Sequence, residues 1–208
     1  MVKLTPEFFL RDTIEVARDL LGRYLVRNIA DQTLICRITE TEAYVGAVDK
    51  ACHAYGGRKT ARTQTLYAAP GTAYIYQIYG MYHCLNFVTE PEGTASAVLI
   101  RGCVPVFNQD RIAQNRFCLD FAQLSRAQKK NLLNGPGKLG KGLCIDKHLN
   151  TLPCGDNNLF LTDEIPELSL PGRAENLPFH TGKRIGIDYA DEAIDFPWRF
   201  WTTEDELC

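Results

Sequence analysis

The sequence predicts an α+β fold: one domain over residues 1–208, built as a curved, mainly antiparallel β-sheet with surrounding helices and a protruding β-hairpin. Three observations lead there. Runs rich in β-branched and aromatic residues recur through the first hundred residues, and some are joined by turns short enough for antiparallel neighbours. Helical spacing of apolar residues is confined to the start and the middle of the chain. The 208 residues, 45% hydrophobic and 23% charged, suffice for one core, and neither a repeat nor a domain-separating linker interrupts them.

The elements follow in order. Pro6 to Leu21 is expected as a helix, with Leu10, Ile14, Ala17 and Leu21 at helical spacing and Gly22 as the stop. Tyr24 to Val26 and Leu34 to Tyr44 are expected strands, with a polar turn at Asp31-Gln32. Gly46 to Thr65 is polar, contains glycine and is expected to be irregular. Thr72 to Tyr79 and Cys84 to Thr89 form an expected hairpin around Gly80-Met81, and Ala95 to Arg101 a further strand. Phe107 to Leu133 is expected to be helical, and Asn134-Gly135-Pro136-Gly137-Lys138 to open another helix or turn. Arg184 to Ile187 and Arg199 to Thr202 are the last expected strands.

Composition removes several function classes. No apolar run is long enough to span a bilayer, and the first residues lack the cationic and apolar segments of a secretory leader, so a cytoplasmic protein is expected, or a nuclear one in a eukaryote. The eight cysteines form no C-x-x-C pair and several sit in apolar runs. Reduced, mostly buried thiols are expected and no metal site. The net charge of −2 does not suggest a nucleic-acid binder, but its distribution does. Residues 51–141 carry eleven Lys and Arg against four Asp and Glu, a net +7, leaving −9 for the remainder. A basic middle fits a localised polyanion site, although a solvated charged surface would give the same count.

Three segments carry candidate chemistry. In Glu40-Thr41-Glu42-Ala43-Tyr44, a strand puts Glu40, Glu42 and Tyr44 on one face, where carboxylates are costly unless paired or used; a strand end emerging into solvent is the plain alternative. The stretch Pro70 to Tyr82 is dense in tyrosine. Tyr74 and Tyr76 share a face, while Tyr79 falls at the hairpin tip, where packing gives it little reason to exist. In His53 to Thr63, Gly56-Gly57 beside Arg58, Lys59, Thr60 and Arg62 suits backbone amides and cations meeting phosphate, as it suits a flexible surface loop. Gly135 to Lys138 lacks the spacing of a nucleotide-triphosphate loop.

Together these strings resemble the alkyladenine (3-methyladenine) DNA glycosylase family. The resemblance rests on Glu42-Ala43-Tyr44 with Gly46, Asp49 and His53; on Gly57-Arg58, Thr60 and Arg62; and on Pro70-Gly71-Thr72, Tyr74-Ile75-Tyr76 and Tyr79-Gly80-Met81-Tyr82. Cys84, Asn86, Leu99-Ile100-Arg101, Gly135-Pro136, Lys138-Leu139 and Arg184-Ile185-Gly186-Ile187 extend it over nearly the whole chain. Tyr67 and His83 depart mildly from the pattern, and the acidic tail around Glu204 to Glu206 has no counterpart in it.

The resemblance implies a monofunctional enzyme that flips a damaged purine out of double-stranded DNA and hydrolyses its N-glycosidic bond, as a monomer, with no cofactor and no metal. It implies Glu42 as general base toward water, helped by Arg101 and the backbone carbonyl of Ile185. Tyr44, His53 and Tyr76 are then walls of the base pocket, and Asn86 crowds the 2-amino group of guanine. Tyr79 fills the gap left by the flipped nucleotide, with Met81, Arg58, Lys59, Thr60 and Arg62 also toward DNA. Chemistry on a stacked base requires extrusion, which an aromatic wedge offsets, and alkylation weakens the glycosidic bond so that one carboxylate suffices. Two other functions are open to the same residues: a non-catalytic binder of damaged or distorted DNA, and a carbohydrate hydrolase using Glu40 with Glu42.

Overall fold

The computed structural model describes residues 1–203 and 205–207; Glu204, named above in the acidic tail, and Cys208, one of the eight cysteines, lie outside the described residues. The fold is α+β, as the sequence predicts, with a curled antiparallel sheet. Its strands are β1 (Tyr24–Ile29), β2 (Gln32–Tyr44), β3 (Ala73–Ile78), β4 (Tyr82–Thr89), β5 (Ser96–Phe107), β6 (Leu159–Thr162), β7 (His180–Gly182) and β8 (Arg199–Trp201). The order is β3-β4-β5-β2-β1-β6. β2 is long enough that β1 pairs with its first half and β8 with Glu40 to Glu42 of its second, while β7 edges β8.

Both long central strands change faces midway. In β2, Leu34, Cys36 and Ile38 enter the main core, and then Ala43 does; in β5, Val98 and Ile100 do, and then Cys103. The switch from even to odd numbers falls where the β2–β5 register is irregular, between Ile38 and Thr41. Such an irregularity bends the strand and re-aims side chains. Here it leaves Glu40, Glu42 and Tyr44 on the face opposite the main core, where a two-residue alternation continued from Leu34 would have buried them in it.

The α-helices are α1 (Pro6–Phe9), α2 (Thr13–Asp19), α3 (Gln109–Phe117), α4 (Arg126–Lys130) and α5 (Pro136–Gly142), and short 3-10 turns fill several of the connections. The Thr41 hydroxyl donates to the Ala17 carbonyl at 2.7 Å, tying β2 to α2. α5 lies close against β4: a Cβ added to Gly140 would stand 2.2 Å from the His83 carbonyl oxygen. That approach brings the Gly135–Lys138 segment to the same end of the sheet as the β3–β4 hairpin.

Three expectations are corrected. Pro6 to Leu21 is two helices, because the Asp12 side chain accepts from the amides of Ile14 and Glu15 and starts the second one. Phe107 to Leu133 is not one helix. β5 runs on to Phe107, Cys118 ends α3 in the left-handed region, and Ser125 caps α4 with Gln128 in a capping box. Arg184 to Ile187 is a loop, not a strand: Gly186 has φ +77° and Arg184 turns inward while Ile185 is half exposed. No helix is long and apolar enough to cross a membrane among the described residues.

Candidate active site

Every second residue of four neighbouring strands builds the floor of a cavity of about 510 Å³: Tyr74 and Tyr76 from β3, Cys84 and Asn86 from β4, Ala97, Leu99 and Arg101 from β5, and Glu42 and Tyr44 from β2. The register aligns them, with Tyr74 opposite Asn86, Asn86 opposite Leu99 and Leu99 opposite Glu42. The walls are His53 and Arg62 on one side, the Ile185–Ile187 loop with Tyr189 on another, and Gly135 to Lys138 on a third. Tyr79 and Tyr82 stand at the hairpin side.

Glu42 is 1% exposed, a buried acid beside an open cavity. Its Oε1 accepts from Arg101 Nε at 3.1 Å and from the Ile185 amide at 2.9 Å, and its Oε2 accepts from the Tyr44 hydroxyl at 2.8 Å. Burial raises its pKa, while Arg101, the Ile185 amide and the Tyr44 hydroxyl pull it down and the Glu40 charge raises it further; the net direction is upward. The group is therefore held chargeable in an apolar surround. The family resemblance implies the Ile185 carbonyl here; the contact observed is its amide. Glu40 shares a face with Glu42 but does not line the cavity. It lies 3.4 Å from Arg101 Nη1 and 3.4 Å from Arg199 Nε. The two carboxylates thus do not flank one cleft as a hydrolytic pair on a sugar would.

The aromatic groups face one another. His53 meets Tyr76 edge-on with ring centroids 4.6 Å apart, and its Nδ1 is 2.9 Å from the Tyr74 hydroxyl. Burial, with Arg62 nearby, lowers the His53 pKa to about 4, so the imidazole is neutral at physiological pH. Tyr44 carries the Arg184 guanidinium on one ring face at 4.8 Å, and Arg62 lies 5.1 Å from the Tyr76 ring. Asn86 is buried, its Nδ2 donating to the Tyr74 carbonyl at 3.0 Å while the residue lines the cavity floor. It thus sits on the strand paired with that of Tyr76, braced by the backbone and facing the site.

The hairpin tip is exposed: Tyr79 to 86% and Met81 to 67%. Tyr79 takes φ +51° and Gly80 φ +67°, a turn closed by the Met81 amide on the Ile78 carbonyl. Arg58, Lys59, Thr60 and Arg62 are exposed on the adjoining loop, which follows Gly56 and Gly57, both at positive φ. The structure thus gathers Glu42, Tyr44, His53, Tyr76, Tyr79, Asn86, Arg101, Ile185 and Arg62 around one cavity, and sets Arg58, Lys59, Thr60 and Met81 outside it. Tyr74 and Tyr189 line it without having been singled out as pocket residues. For Tyr74 a signal existed, its two-residue offset from Tyr76; for Tyr189, in a loop, none did. Among the described residues no three His, Cys, Asp or Glu side chains cluster as a metal-binding set.

Comparison with known proteins agrees in one direction. The model of the family described as methylpurine-DNA glycosylase (MPG) matches residues 7–206. A protein of Clostridium perfringens (strain SM101 / Type A), named "Putative 3-methyladenine DNA glycosylase", is 47% identical over 206 residues, 99% of this chain and 98% of its own. One of the same name from Desulfitobacterium hafniense (strain Y51) is 45% identical over 206 residues, 99% of this chain and 98% of its own.

Proposed function

The chain belongs to the methylpurine-DNA glycosylase family, and from that premise we propose that it is a monofunctional glycosylase acting on alkylated or deaminated purines in double-stranded DNA, among them 3-methyladenine, 7-methylguanine, hypoxanthine and ethenoadenine. The observation that carries this reading is Glu42: an acid 1% exposed, fastened by Arg101, the Ile185 amide and Tyr44, opening on an aromatic cavity large enough for a purine.

In this reading Tyr79 enters the stack at the hairpin tip and occupies the place of the extruded nucleotide, while the Arg58–Arg62 loop meets phosphates. The base lies against Tyr44 on one side and His53 and Tyr76 on the other. The neutral His53 adds no further cation to walls that already hold Arg62 by Tyr76 and Arg184 behind Tyr44. Glu42 holds and deprotonates the attacking water, and its charge stabilises the oxocarbenium-like sugar as the purine departs. Its raised pKa brings the base closer to the working pH, where proton transfer is efficient. Asn86, braced by the Tyr74 carbonyl, crowds a 2-amino group. Lys138 lines the cavity, but its Nζ donates to Asn131 Oδ1 at 2.9 Å and Asn134 Oδ1 at 2.8 Å. Burial, with Arg116 and Arg101 nearby, lowers its pKa from the ordinary lysine value, but two amide oxygens occupy its protons and hold it in place, which supports hydrolysis without strand cleavage.

The test is incubation with duplexes carrying one defined lesion, followed by alkali cleavage at abasic sites. Release of free base with alkali-dependent strand breaks is expected; tight lesion binding with no base release would make the protein a binder of damaged DNA instead.

A further inference from the structure

Behind the cavity lies a charge pair that none of the proposed roles uses. The side chains of Arg184 and Asp49 are both fully buried. Arg184 Nη1 donates to Asp49 Oδ2 at 2.5 Å and Nη2 to Asp49 Oδ1 at 2.8 Å, a two-pronged bridge across 135 residues of sequence. Nη1 also donates to the Ala43 carbonyl at 2.7 Å and Nη2 to the Ala193 carbonyl at 3.3 Å. The guanidinium carbon lies 4.8 Å from the Tyr44 ring centroid and 5.1 Å from that of Trp198. Asp49 in turn accepts from the Val45 amide at 3.1 Å and the Ala51 amide at 2.9 Å.

Stability is a weak reason for such a pair. Two charges removed from water recover little more than their desolvation, and apolar side chains of similar volume often do as well. Arg184 Nε, moreover, has no hydrogen-bond partner among the described residues. What the pair does is join three segments that reach the cavity separately. Ala43 sits between Glu42 and Tyr44 on β2; Ala51 leads to His53; and Ile185, the residue after Arg184, donates its amide to Glu42 Oε1. Fixing the Arg184 side chain therefore fixes where the next amide points.

We propose that Arg184, locked by Asp49, is a positioning residue for the glycosylase reaction: it aims the Ile185 amide at Glu42 and backs the Tyr44 ring. This rests on the assignment of Glu42 as the base. The pair touches neither water nor purine and acts through Ile185 and Tyr44. Without the Ile185 amide bond, one interaction that favours the carboxylate is gone, so the Glu42 pKa rises further. Of the other titratable groups around Glu42, Arg101, Glu40, Tyr76 and Cys84 stay in place, while Tyr44 loses the guanidinium behind its ring, and any weakening of its hydroxyl bond to Glu42 moves the pKa in the same upward direction.

The experiment measures single-turnover excision of hypoxanthine from a defined duplex against pH, with Tm, for wild type, Asp49→Asn/Arg184→Met and Arg184→Lys. The double variant removes both charges and leaves none buried alone; Lys keeps the charge but cannot bridge both carboxylate oxygens. The expected result is a Tm near wild type for the double variant, an excision rate lower by about tenfold to a hundredfold in both, and an acid limb moved to higher pH. A wild-type limb overturns the proposal, whether the rate holds or falls together with Tm. Should the double variant not fold, Arg184→Lys, assayed below its own Tm, decides by the same limb. Wild-type protein that releases no hypoxanthine in this assay, nor any other lesion base, would instead refute the assignment as a glycosylase.

Discussion

Replacing Glu42 with Gln separates chemistry from architecture. The side chain keeps its shape, and every contact has a substitute. Gln Oε1 can accept from Arg101 Nε and the Ile185 amide, and Gln Nε2 can donate to the Tyr44 oxygen, so three hydrogen bonds survive. Each loses its charge assistance, about 0.5–2 kcal/mol per bond when a charged bond becomes a neutral one. Against that, a carboxylate 1% exposed no longer has to be desolvated, which returns several kcal/mol. The two nearly cancel, and the net change at pH 7 is expected within about 2 kcal/mol, a Tm shift of at most about 8 °C for a domain of this size. The sign depends on pH. The folded-state pKa of Glu42 is raised, so the folded state holds its proton more tightly than the unfolded one. Its ionisation therefore costs stability above the raised pKa, and this cost fades as pH falls through it. Relative to wild type, E42Q should look best at neutral pH and lose that advantage below the ordinary glutamate range. Excision, in contrast, should fall by about 10²–10⁴, the usual contribution of a general base, with lesion binding nearly intact. Wild-type excision should show an acid limb above the ordinary carboxylate range. Near-normal single-turnover excision by E42Q would refute the reasoning, and so would a collapse of Tm that accounts for the whole loss.

Tyr79→Ala should leave Tm unchanged, since the ring is 86% exposed, and weaken lesion binding by about 1–3 kcal/mol of stacking; unaltered fluorescence of an ethenoadenine duplex would remove the wedge role. Asn86→Ser should raise excision of guanine or 7-methylguanine relative to hypoxanthine, whereas a lowered Tm with an unchanged ratio would mark Asn86 as a brace for β3 alone. Arg58→Ala should reduce the log–log salt slope of binding by about 0.9 for each phosphate it no longer neutralises without changing lesion preference; if it and Arg62→Ala both leave the slope unchanged, DNA runs elsewhere. Borohydride should trap no covalent adduct with DNA, and chelators should not inhibit; an adduct dependent on Lys138 would overturn the monofunctional assignment.

Much of the site is written in alternation. Tyr74 and Tyr76, Glu42 and Tyr44, Leu99 and Arg101 are each two residues apart, and a strand needs nothing more to bring each pair to one face. The partnership of Asn86 with the Tyr76 strand follows from the short hairpin. What alternation hid is where it breaks. Counting from Leu34 along β2 puts Glu40 and Glu42 toward the core; only the irregular pairing with β5 turns them away, and a one-residue slip depends on tertiary pairing. The same limit explains Arg184 to Ile187, whose Arg-Ile-Gly-Ile imitates a strand while a left-handed glycine and a buried arginine make it a loop. Likewise the Asp49–Arg184 bridge spans 135 residues, a separation over which spacing carries no information.

One physical cause, burial, acts on Glu42 and His53 in opposite directions. It pushes the Glu42 carboxyl up and the His53 imidazole down to about 4, favouring the neutral form of each. The groups around them make the difference. Glu42 is given three donors, one of them cationic, so it can carry charge when a proton must be taken. His53 is given the Tyr74 hydroxyl and a nearby Arg62, and the cation pushes its pKa down further. The cavity therefore presents one buried carboxyl, held by Arg101, among aromatic rings and an uncharged imidazole, with Arg62 by the Tyr76 ring and Arg184 behind Tyr44. Such rings stack on any purine face. In the proposed reading, selection among purines then comes from edges and bond strength: from what Asn86 would meet at the 2-position, and from how readily the glycosidic bond breaks with Glu42 as the base.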